Sequence, residues 1–161
     1  MPNWCRNNLS VSHRNSKELE NLSKILDSNC GLFEAFLPNP SGQWDYSWSL
    51  ENWGVKWDVN TESITVIQVD EDRIIIEFDT AWGFPKEFYQ FLEKDGYEVN
   101  AMFHEEGMAF CGIYTKGVED YYEYGEMTPD EIRAMIPEEI DDCFAISEMV
   151  EERMSGDDDE L

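Results

Sequence analysis

The segment Trp53-Gly54-Val55-Lys56-Trp57-Asp58 places two indoles, an ammonium group and a carboxylate close together in the chain. In an extended backbone Lys56 and Asp58 point to one side and Trp57 points to the other. One interpretation is an ion pair that fixes this loop over a sheet. The alternative is a pocket in which Lys56 meets an anionic ligand such as a nucleotide and an indole stacks on it. The ligand-binding residues of that alternative are Asn7, Trp53, Lys56, Trp57, Asp58 and Trp82.

General-base chemistry would have to use His13 or His104, the two histidines of the chain. A catalytic triad needs a nucleophile, a base and a group that orients the base. His13 follows the first predicted strand and His104 ends a later one beside Glu105 and Glu106, so we expect surface or rim imidazoles. We therefore predict no catalytic residues and a protein that is not an enzyme. An enzyme that uses His104 and Glu106 is the weaker alternative.

The four cysteines, at positions 5, 30, 111 and 143, lack the close Cys and His pairs of structural zinc sites. The chain also has no phosphate-binding loop and no dinucleotide fingerprint. We therefore expect no metal and no cofactor, and free thiols in a reducing host cytoplasm. No leader peptide is recognisable, and no stretch approaches the ~20 apolar residues of a membrane helix.

The formal net charge of the 161 residues is −25, and residues 119–161 hold 17 acidic and 2 basic side chains. Phosphate backbones and anionic membranes attract Lys and Arg clusters, so we expect no direct binding to nucleic acid or membrane. The acidic side chains form either a solvated face or a surface that fits a basic groove on a partner protein. In the second interpretation the partner-binding residues are Glu119, Asp120, Glu123, Glu126, Glu138, Glu139, Asp141 and Asp142.

Hydrophobic periodicity predicts the elements that position these residues. Alternation predicts strands over 3–12, 64–69, 73–78, 97–104 and 108–114. Helical spacing predicts one helix after Asn15 and another between Pro85 and Gly96. The order strand, helix, strand, strand, helix, strand is the split β-α-β plan, which predicts an α+β, ferredoxin-like antiparallel sheet with helices on one face.

The predicted domain organisation has three parts. Residues 1–118 form the ferredoxin-like α+β domain, residues 119–154 an acidic helical C-terminal extension, and residues 155–161 a disordered acidic tail. Thr128 and Glu131 have the spacing of a capping box that starts a helix in the extension. The apolar stripe that follows needs a surface to cover, either the sheet of the same chain or a partner.

Four sequence motifs carry a family likeness over roughly residues 1–115. They are Met-Pro-Asn-Trp-Cys-Arg-Asn at 1–7, Trp-Gly-Val-Lys-Trp-Asp at 53–58, Phe-Asp-Thr-Ala-Trp at 78–82 and Glu-Glu-Gly-Met-Ala-Phe-Cys-Gly at 105–112. In this order they resemble the YubB-like, ferredoxin-like family of phage- and plasmid-encoded proteins of unknown function. The resemblance implies a ferredoxin-like domain and a mobile-element origin, and it implies no substrate.

The leading functional hypothesis is a phage or mobile-element accessory protein that binds and modulates a host protein through its acidic surface. The expected partner is basic: a nuclease, a defence component or part of the transcription machinery, for which the acidic chain acts as a nucleic-acid mimic or an anti-defence inhibitor. The alternative is the small-ligand or nucleotide-binding domain built on residues 53–58.

Overall fold

The computed structural model describes residues 2–159, with side chains described through residue 156. Within this range six strands form one antiparallel sheet in the order β2-β3-β1-β4-β5-β6. The strands are β1 (Trp4–His13), β2 (Thr65–Val69), β3 (Ile74–Ala81), β4 (Tyr97–Glu105), β5 (Phe110–Thr115) and β6 (Val118–Glu123). The predicted α+β class is confirmed, and the first five strands agree with the predicted ones to within a few residues.

The same range contains seven α-helices and one 3-10 turn at Thr61–Ser63. The helices are α1 (Ser16–Asp27), α2 (Leu32–Phe36), α3 (Tyr46–Asn52), α4 (Lys86–Lys94), α5 (Pro129–Met135), α6 (Glu138–Phe144) and α7 (Ile146–Asp159). The Asn15 and Thr128 side chains cap α1 and α5, because each accepts a backbone N–H of the first helical turn. None of the helices in residues 2–159 has the length and apolar content to cross a membrane.

One face of the sheet carries the larger core. Leu9 and Val11 of β1 are buried on this face together with Ile74 and Ile76 of β3, as period-two alternation requires. Helices α1, α2 and α4 cover these side chains and contribute an apolar stripe each. The helical contribution to this core consists of Leu19, Leu22, Leu32, Phe33, Phe88, Tyr89 and Leu92.

The opposite face is covered by the C-terminal helices, which corrects the expectation of helices on one face only. The second core lies between this face and the helices and contains Cys111, Tyr124, Ile132, Ile136, Ile140, Phe144 and Ile146. Met102 of β4 and Ile113 of β5 pack against it. The cause is that β4 and β5 carry apolar side chains on both faces, so both faces need a cover. The stripe of the extension therefore packs on the sheet of its own chain.

Residues 118–123 form the edge strand β6, although the sequence predicted that residue 119 begins a helical extension. Lys116 and Gly117 connect β5 to β6 and both have positive φ, at 51° and 80°. Two consecutive positive φ angles match a type I′ hairpin turn, for which Asn-Gly is the more familiar signal. Val118, Tyr121 and Tyr122 favour a strand, and backbone pairing with β5 accommodates the acidic residues between them.

The last helix, α7, continues through Asp159, whereas the sequence predicted a disordered acidic tail over 155–161. No proline interrupts this stretch, so α7 runs through Gly156 without losing a backbone donor. The final two residues of the predicted tail lie outside the described residues.

Candidate functional site

Trp53 belongs to the core and not to an open site. Its side chain is 5 % exposed, and its indole Nε1 donates a hydrogen bond to the carbonyl oxygen of Leu37 at 3.0 Å. The ring contacts Phe33, with 5.7 Å between centroids. The following Gly54 has φ +85°, so it ends α3 in a conformation that a side chain would strain. This part of the segment fixes the end of helix α3 to α2 and α4.

Asp58 caps a helix and does not pair with Lys56. One carboxylate oxygen accepts the backbone N–H groups of Phe33 and Val59, both at 2.7 Å, and the other accepts that of Glu34 at 2.9 Å. Burial raises the pKa of Asp58, and these three N–H groups oppose that change. The carboxylate thus stabilises the first turn of α2, and the interpretation as a Lys56–Asp58 ion pair is wrong.

Asn7 connects two strands of the sheet. The side chain is buried, and its amide nitrogen shares its two hydrogens among three acceptors: the carbonyl oxygens of Cys5 and Phe78, and Thr80 Oγ1 at 2.8 Å. It therefore ties β1 to β3 within the sheet. Of the six predicted ligand-binding residues, Trp53 and Asp58 have their polar groups committed to the fold. Asn7 commits its amide nitrogen, while its Oδ1 is buried without a hydrogen-bond partner in the described residues.

Lys56 and Trp57 are at the surface and touch each other. The Lys56 ammonium lies 4.1 Å from the centroid of the Trp57 ring, a cation–π contact. Trp57 is 40 % exposed, and its ring centroid is 6.2 Å from that of Trp4, which is also exposed. On the other side Trp44 donates its indole N–H to the Lys56 carbonyl oxygen at 2.7 Å. Three indoles are thus linked: Trp57 contacts both Lys56 and Trp4, and Trp44 is hydrogen-bonded to Lys56.

Trp82 has a strained backbone and an exposed ring. Its φ is 71°, in the left-handed region, and its side chain is 50 % exposed. Its backbone N–H donates to the Asn3 carbonyl oxygen at 2.7 Å, which holds the turn after β3 in place. A bulky residue in this region costs roughly 1–3 kcal/mol, and such strain concentrates at functional sites. Burial of the ring does not explain the strain, because half of the side chain faces solvent.

A cleft of about 360 Å³ lies beside Trp82 and Lys56. Its walls come from α3 and the loop after it and from the end of β3 and the following turn. They consist of Tyr46, Leu50, Gly54, Val55, Lys56, Ala81, Trp82 and Gly83. Tyr46 contacts Trp44 at 6.5 Å between ring centroids, so the cleft adjoins the exposed indoles. We call the connected set Trp4, Trp44, Tyr46, Lys56, Trp57 and Trp82 the tryptophan surface.

Three members of this surface, Trp4, Trp44 and Tyr46, were missed by the sequence analysis. For Trp4 a signal was available, because Arg6, Asn8 and Ser10 share its side of β1 and are polar. That alternation predicts an exposed indole. Trp44 and Tyr46 lie in an irregular segment where periodicity gives no orientation, so only the tertiary structure reveals them.

His104 is buried, which corrects the prediction of a rim histidine. It is 2 % exposed, its Nε2 is 2.7 Å from the Tyr124 hydroxyl, and the Phe144 ring lies against it at 5.5 Å. Burial, and secondarily the Arg6 charge, lower its pKa to about 4. Glu106, the second residue of the enzyme alternative, forms an ion pair with Arg153. This arrangement closes the imidazole off from substrate.

The second histidine, His13, fixes the end of β1. Its Nε2 lies 2.9 Å from the Asp95 carbonyl oxygen, and its Nδ1 accepts the Asn15 N–H at 2.9 Å. The ring packs edge-on against Tyr97 at 4.7 Å. Both nitrogens therefore serve the fold.

The cysteines are free thiols. Burial raises the pKa of Cys111 to about 12 and that of Cys143 to about 11, and it raises the pKa of Cys5 further. These thiols are therefore protonated at neutral pH and are poor nucleophiles. Among residues 2–156 no group of three His, Cys, Asp or Glu side chains is arranged to hold a metal ion.

The predicted partner-binding acids divide between two elements. Glu119, Asp120 and Glu123 are on β6, Glu126 follows it, and Glu138, Glu139, Asp141 and Asp142 are on α6. Two of the eight are partly buried in structural contacts: Glu119 pairs with Lys86 at 3.1 Å, and Asp141 accepts the N–H and hydroxyl of Ser147, both at 2.7 Å. The other six are exposed.

Comparison with protein-family models finds no matching family, and comparisons with curated proteins and with solved structures find no significant match.

Proposed function

We propose that the protein is a non-enzymatic binding protein whose tryptophan surface contacts a basic segment of a partner protein. The observation that carries this proposal is the half-exposed indole of Trp82, held at φ 71° beside the cleft. Glycine would form the same turn without the strain, so the presence of an exposed indole at this position points to a use of that ring in recognition.

The chemistry of the surface supports a protein partner. Tryptophan and tyrosine provide large contact areas at low conformational-entropy cost, and they dominate the energetic centres of protein interfaces. Indole faces also attract the cationic heads of Lys and Arg, as the Lys56–Trp57 contact illustrates within this chain. A contiguous exposed aromatic patch is uncommon on a monomer without a partner.

The charge of the whole chain supports a basic partner. A formal charge of −25 attracts cationic proteins and accelerates their encounter, and the exposed carboxylates of β6 and α6 contribute to that field. We propose a basic host protein, such as a nuclease, a defence component or part of the transcription machinery, and a setting in the host cytoplasm. The acidic surface would then guide the partner, and the indoles would hold it.

The test uses the full chain as bait in host lysate at low and high salt. We expect a basic partner that is retained at low salt, is lost as salt screens the charges, and is reduced at least about tenfold by Trp82→Ala. Met135→Ala, on the exposed side of α5, is the control and should retain the partner. A partner that binds the Trp82→Ala and wild-type chains equally would contradict the proposal.

A second candidate function is the binding of a small anion or nucleotide in the cleft. Its volume of about 360 Å³ is within the range of small-molecule sites, and Lys56 supplies a cation on its wall. Quenching of tryptophan fluorescence by a nucleotide panel tests it, with Lys56→Met as the matched variant. A flat response from the wild-type protein would exclude this function.

We also propose the YubB-like, ferredoxin-like assignment and a phage or mobile-element origin. The antiparallel order β2-β3-β1-β4, with α1 and α4 over one face, supports the ferredoxin-like part. The origin rests on the resemblance of the four sequence motifs. Sequencing the genes that flank this one tests it, because chromosomal housekeeping neighbours would argue against a mobile element.

A further inference from the structure

The edge strand β2 (Thr65–Val69) is exposed along its whole length. Val66, Ile67 and Val69 are 45, 52 and 51 % exposed. An edge strand presents unpaired N–H and C=O groups to any added strand, and proteins commonly protect such edges with charges or proline. The β2 sequence, Thr-Val-Ile-Gln-Val, has neither.

The other edge of the sheet is protected in the usual way. Strand β6 carries Glu119, Asp120 and Glu123 within six residues. The contrast between the two edges within one chain indicates that the apolar, uncharged edge at β2 is a specific feature and not a general property of this sheet.

A groove of about 530 Å³ runs between α1 and the end of β2. Its floor is apolar, formed by Leu19 and Ile74, and Val69 forms one wall. Its rim carries the carboxylates of Glu20, Asp70 and Glu71, together with two serines of α1, and none of its lining residues is basic. An apolar floor with an acidic rim fits the alkyl stem and cationic head of a Lys or Arg side chain.

Asp70 on the rim is held in its charged form by hydrogen bonds. The Asp70 carboxylate accepts the N–H groups of Asp72 and Arg73 at 2.9 and 2.8 Å. With the hydrogen bond from the Gln68 side chain, the largest contribution, they lower the pKa of Asp70. The turn after β2 thus holds a carboxylate in a fixed position at the mouth of the groove.

We propose that β2 receives an extended segment of a partner protein as an added strand, and that a Lys or Arg of this segment enters the groove between α1 and β2. Main-chain hydrogen bonds to the edge supply affinity, and the groove selects the side chain. A second copy of this chain is a poor occupant, because it would bring the acidic flanks Glu62 and Asp70–Asp72 against the same carboxylates. This surface shares no residue with the tryptophan surface.

The first experiment compares two synthetic peptides on the full-length wild-type protein. One is an eight-residue peptide of alternating valine and threonine with two lysines at one end, and the other has glutamates in place of the lysines. We expect protection of the amides of residues 65–69 from hydrogen exchange and at least about tenfold tighter binding of the lysine peptide, weakening with salt. Equal affinities, or protection of β6 in place of β2, would overturn the proposal.

The second experiment uses variants. Ile67 lies at the bulge and has no direct partner on β3, so Ile67→Pro is compatible with the fold. We expect it to abolish binding, and we expect Glu20→Gln with Glu71→Gln to reduce the lysine preference to about twofold. Glu148→Gln on α7 and Trp82→Ala are controls with unchanged peptide binding.

The peptide comparison on the wild-type chain decides the proposal even where Ile67→Pro reduces stability. A concentration-dependent dimer that protects β2 without peptide would identify a second copy as the occupant and overturn the proposal. Trp82→Ala leaves the β2 edge and its groove intact. A result that contradicts the tryptophan-surface proposal therefore does not contradict the strand-addition proposal.

Discussion

At the scale of single residues, Trp82 is the clearest departure from what the fold alone requires. Its left-handed backbone is normally occupied by glycine, because a Cβ there approaches the following carbonyl oxygen. The chain nevertheless places its bulkiest side chain at this position and leaves half of it in water. This arrangement costs stability at the turn after β3, and it holds an exposed indole in a fixed orientation.

Comparison of Trp82→Gly with Trp82→Ala separates the strain from the ring. Both variants lose the indole, but only glycine relieves the backbone, so the glycine variant should be more stable than the alanine variant by about 1 kcal/mol. Denaturant unfolding measures the difference, and both variants should lose the partner equally. Equal stabilities would show that the turn relaxes and stores no strain.

Trp53 and Trp57 should respond very differently to truncation, although they are four residues apart. Trp53 is buried and hydrogen-bonded, so Trp53→Ala should lower the free energy of unfolding by about 3–5 kcal/mol. Trp57 is 40 % exposed, and Trp57→Ala should cost roughly 1–2 kcal/mol. Denaturant titration of both variants measures this, and a reversed order would contradict the assignment of the two rings.

At the scale of elements, the short helix α2 depends on a residue that is remote in sequence. Asp58 supplies the side-chain cap of α2, because the N-cap residue of this helix, Gly31, has no side chain that could do so. A five-residue helix gains little from its own hydrogen bonds and needs such a partner. A Cβ on Gly31 would collide with the Asp58 carboxylate, so glycine permits this close approach.

Asp58→Ala should therefore lower the free energy of unfolding by about 1–2 kcal/mol through loss of the cap. Asp58→Asn retains one acceptor oxygen and should fall between the alanine variant and the wild type. Amide hydrogen exchange of residues 33 and 34 should accelerate in the alanine variant. Unchanged exchange at these two amides would show that the cap contributes nothing.

At the scale of the whole molecule, the C-terminal helices are part of the core. A chain that ends at residue 118 loses β6 and the cover over Cys111, Met102 and Ile113. We expect it to bind a hydrophobic dye and to aggregate, since a sheet face of this kind is insoluble when uncovered. A chain that ends at residue 154 is the control. A monomeric, cooperatively folded 1–118 chain would contradict this role of the extension.

The docking of these helices should weaken in acid because of His104. Its folded-state pKa of about 4 lies below the ordinary value of 6.5, so the unfolded chain binds the proton first. The stability that the neutral imidazole contributes is complete above pH ~6.5 and is lost as pH falls towards 4, by about 3 kcal/mol. The charges of Arg6 and Arg153 also lower the pKa of His104, and the Glu106 carboxylate raises it.

The measurement is the free energy of unfolding of wild type and His104→Gln between pH 7 and pH 4. The difference between the two curves removes the contribution of the many carboxylates, and it should narrow as pH falls. Met135→Ala, which changes no titratable group at an exposed position, is the control and should run parallel to the wild-type curve. Parallel wild-type and His104→Gln curves would show that His104 takes up its proton equally in both states.

Periodicity, caps and turn residues in the sequence determined most of the local structure. The strand alternation of β1 and β3, the cap at Asn15 and the positive-φ Gly96 are set by neighbouring residues, so the elements were predictable. Lys56 and Trp57 are sequence neighbours, so their contact has a local origin, whereas the approach of Trp82 to Lys56 depends on the tertiary structure.

The tertiary structure alone decided what those side chains do. The sequence suggested Asp58 as a partner for Lys56. In the folded protein Asp58 caps α2, because this helix, over twenty residues away in the chain, places two free N–H groups beside the carboxylate. His104 became buried because α6 folded back across the second face of the sheet. Contacts between distant segments depend on which face of the sheet each helix covers. Local periodicity shows that a face is apolar, but it does not show which helix packs on that face.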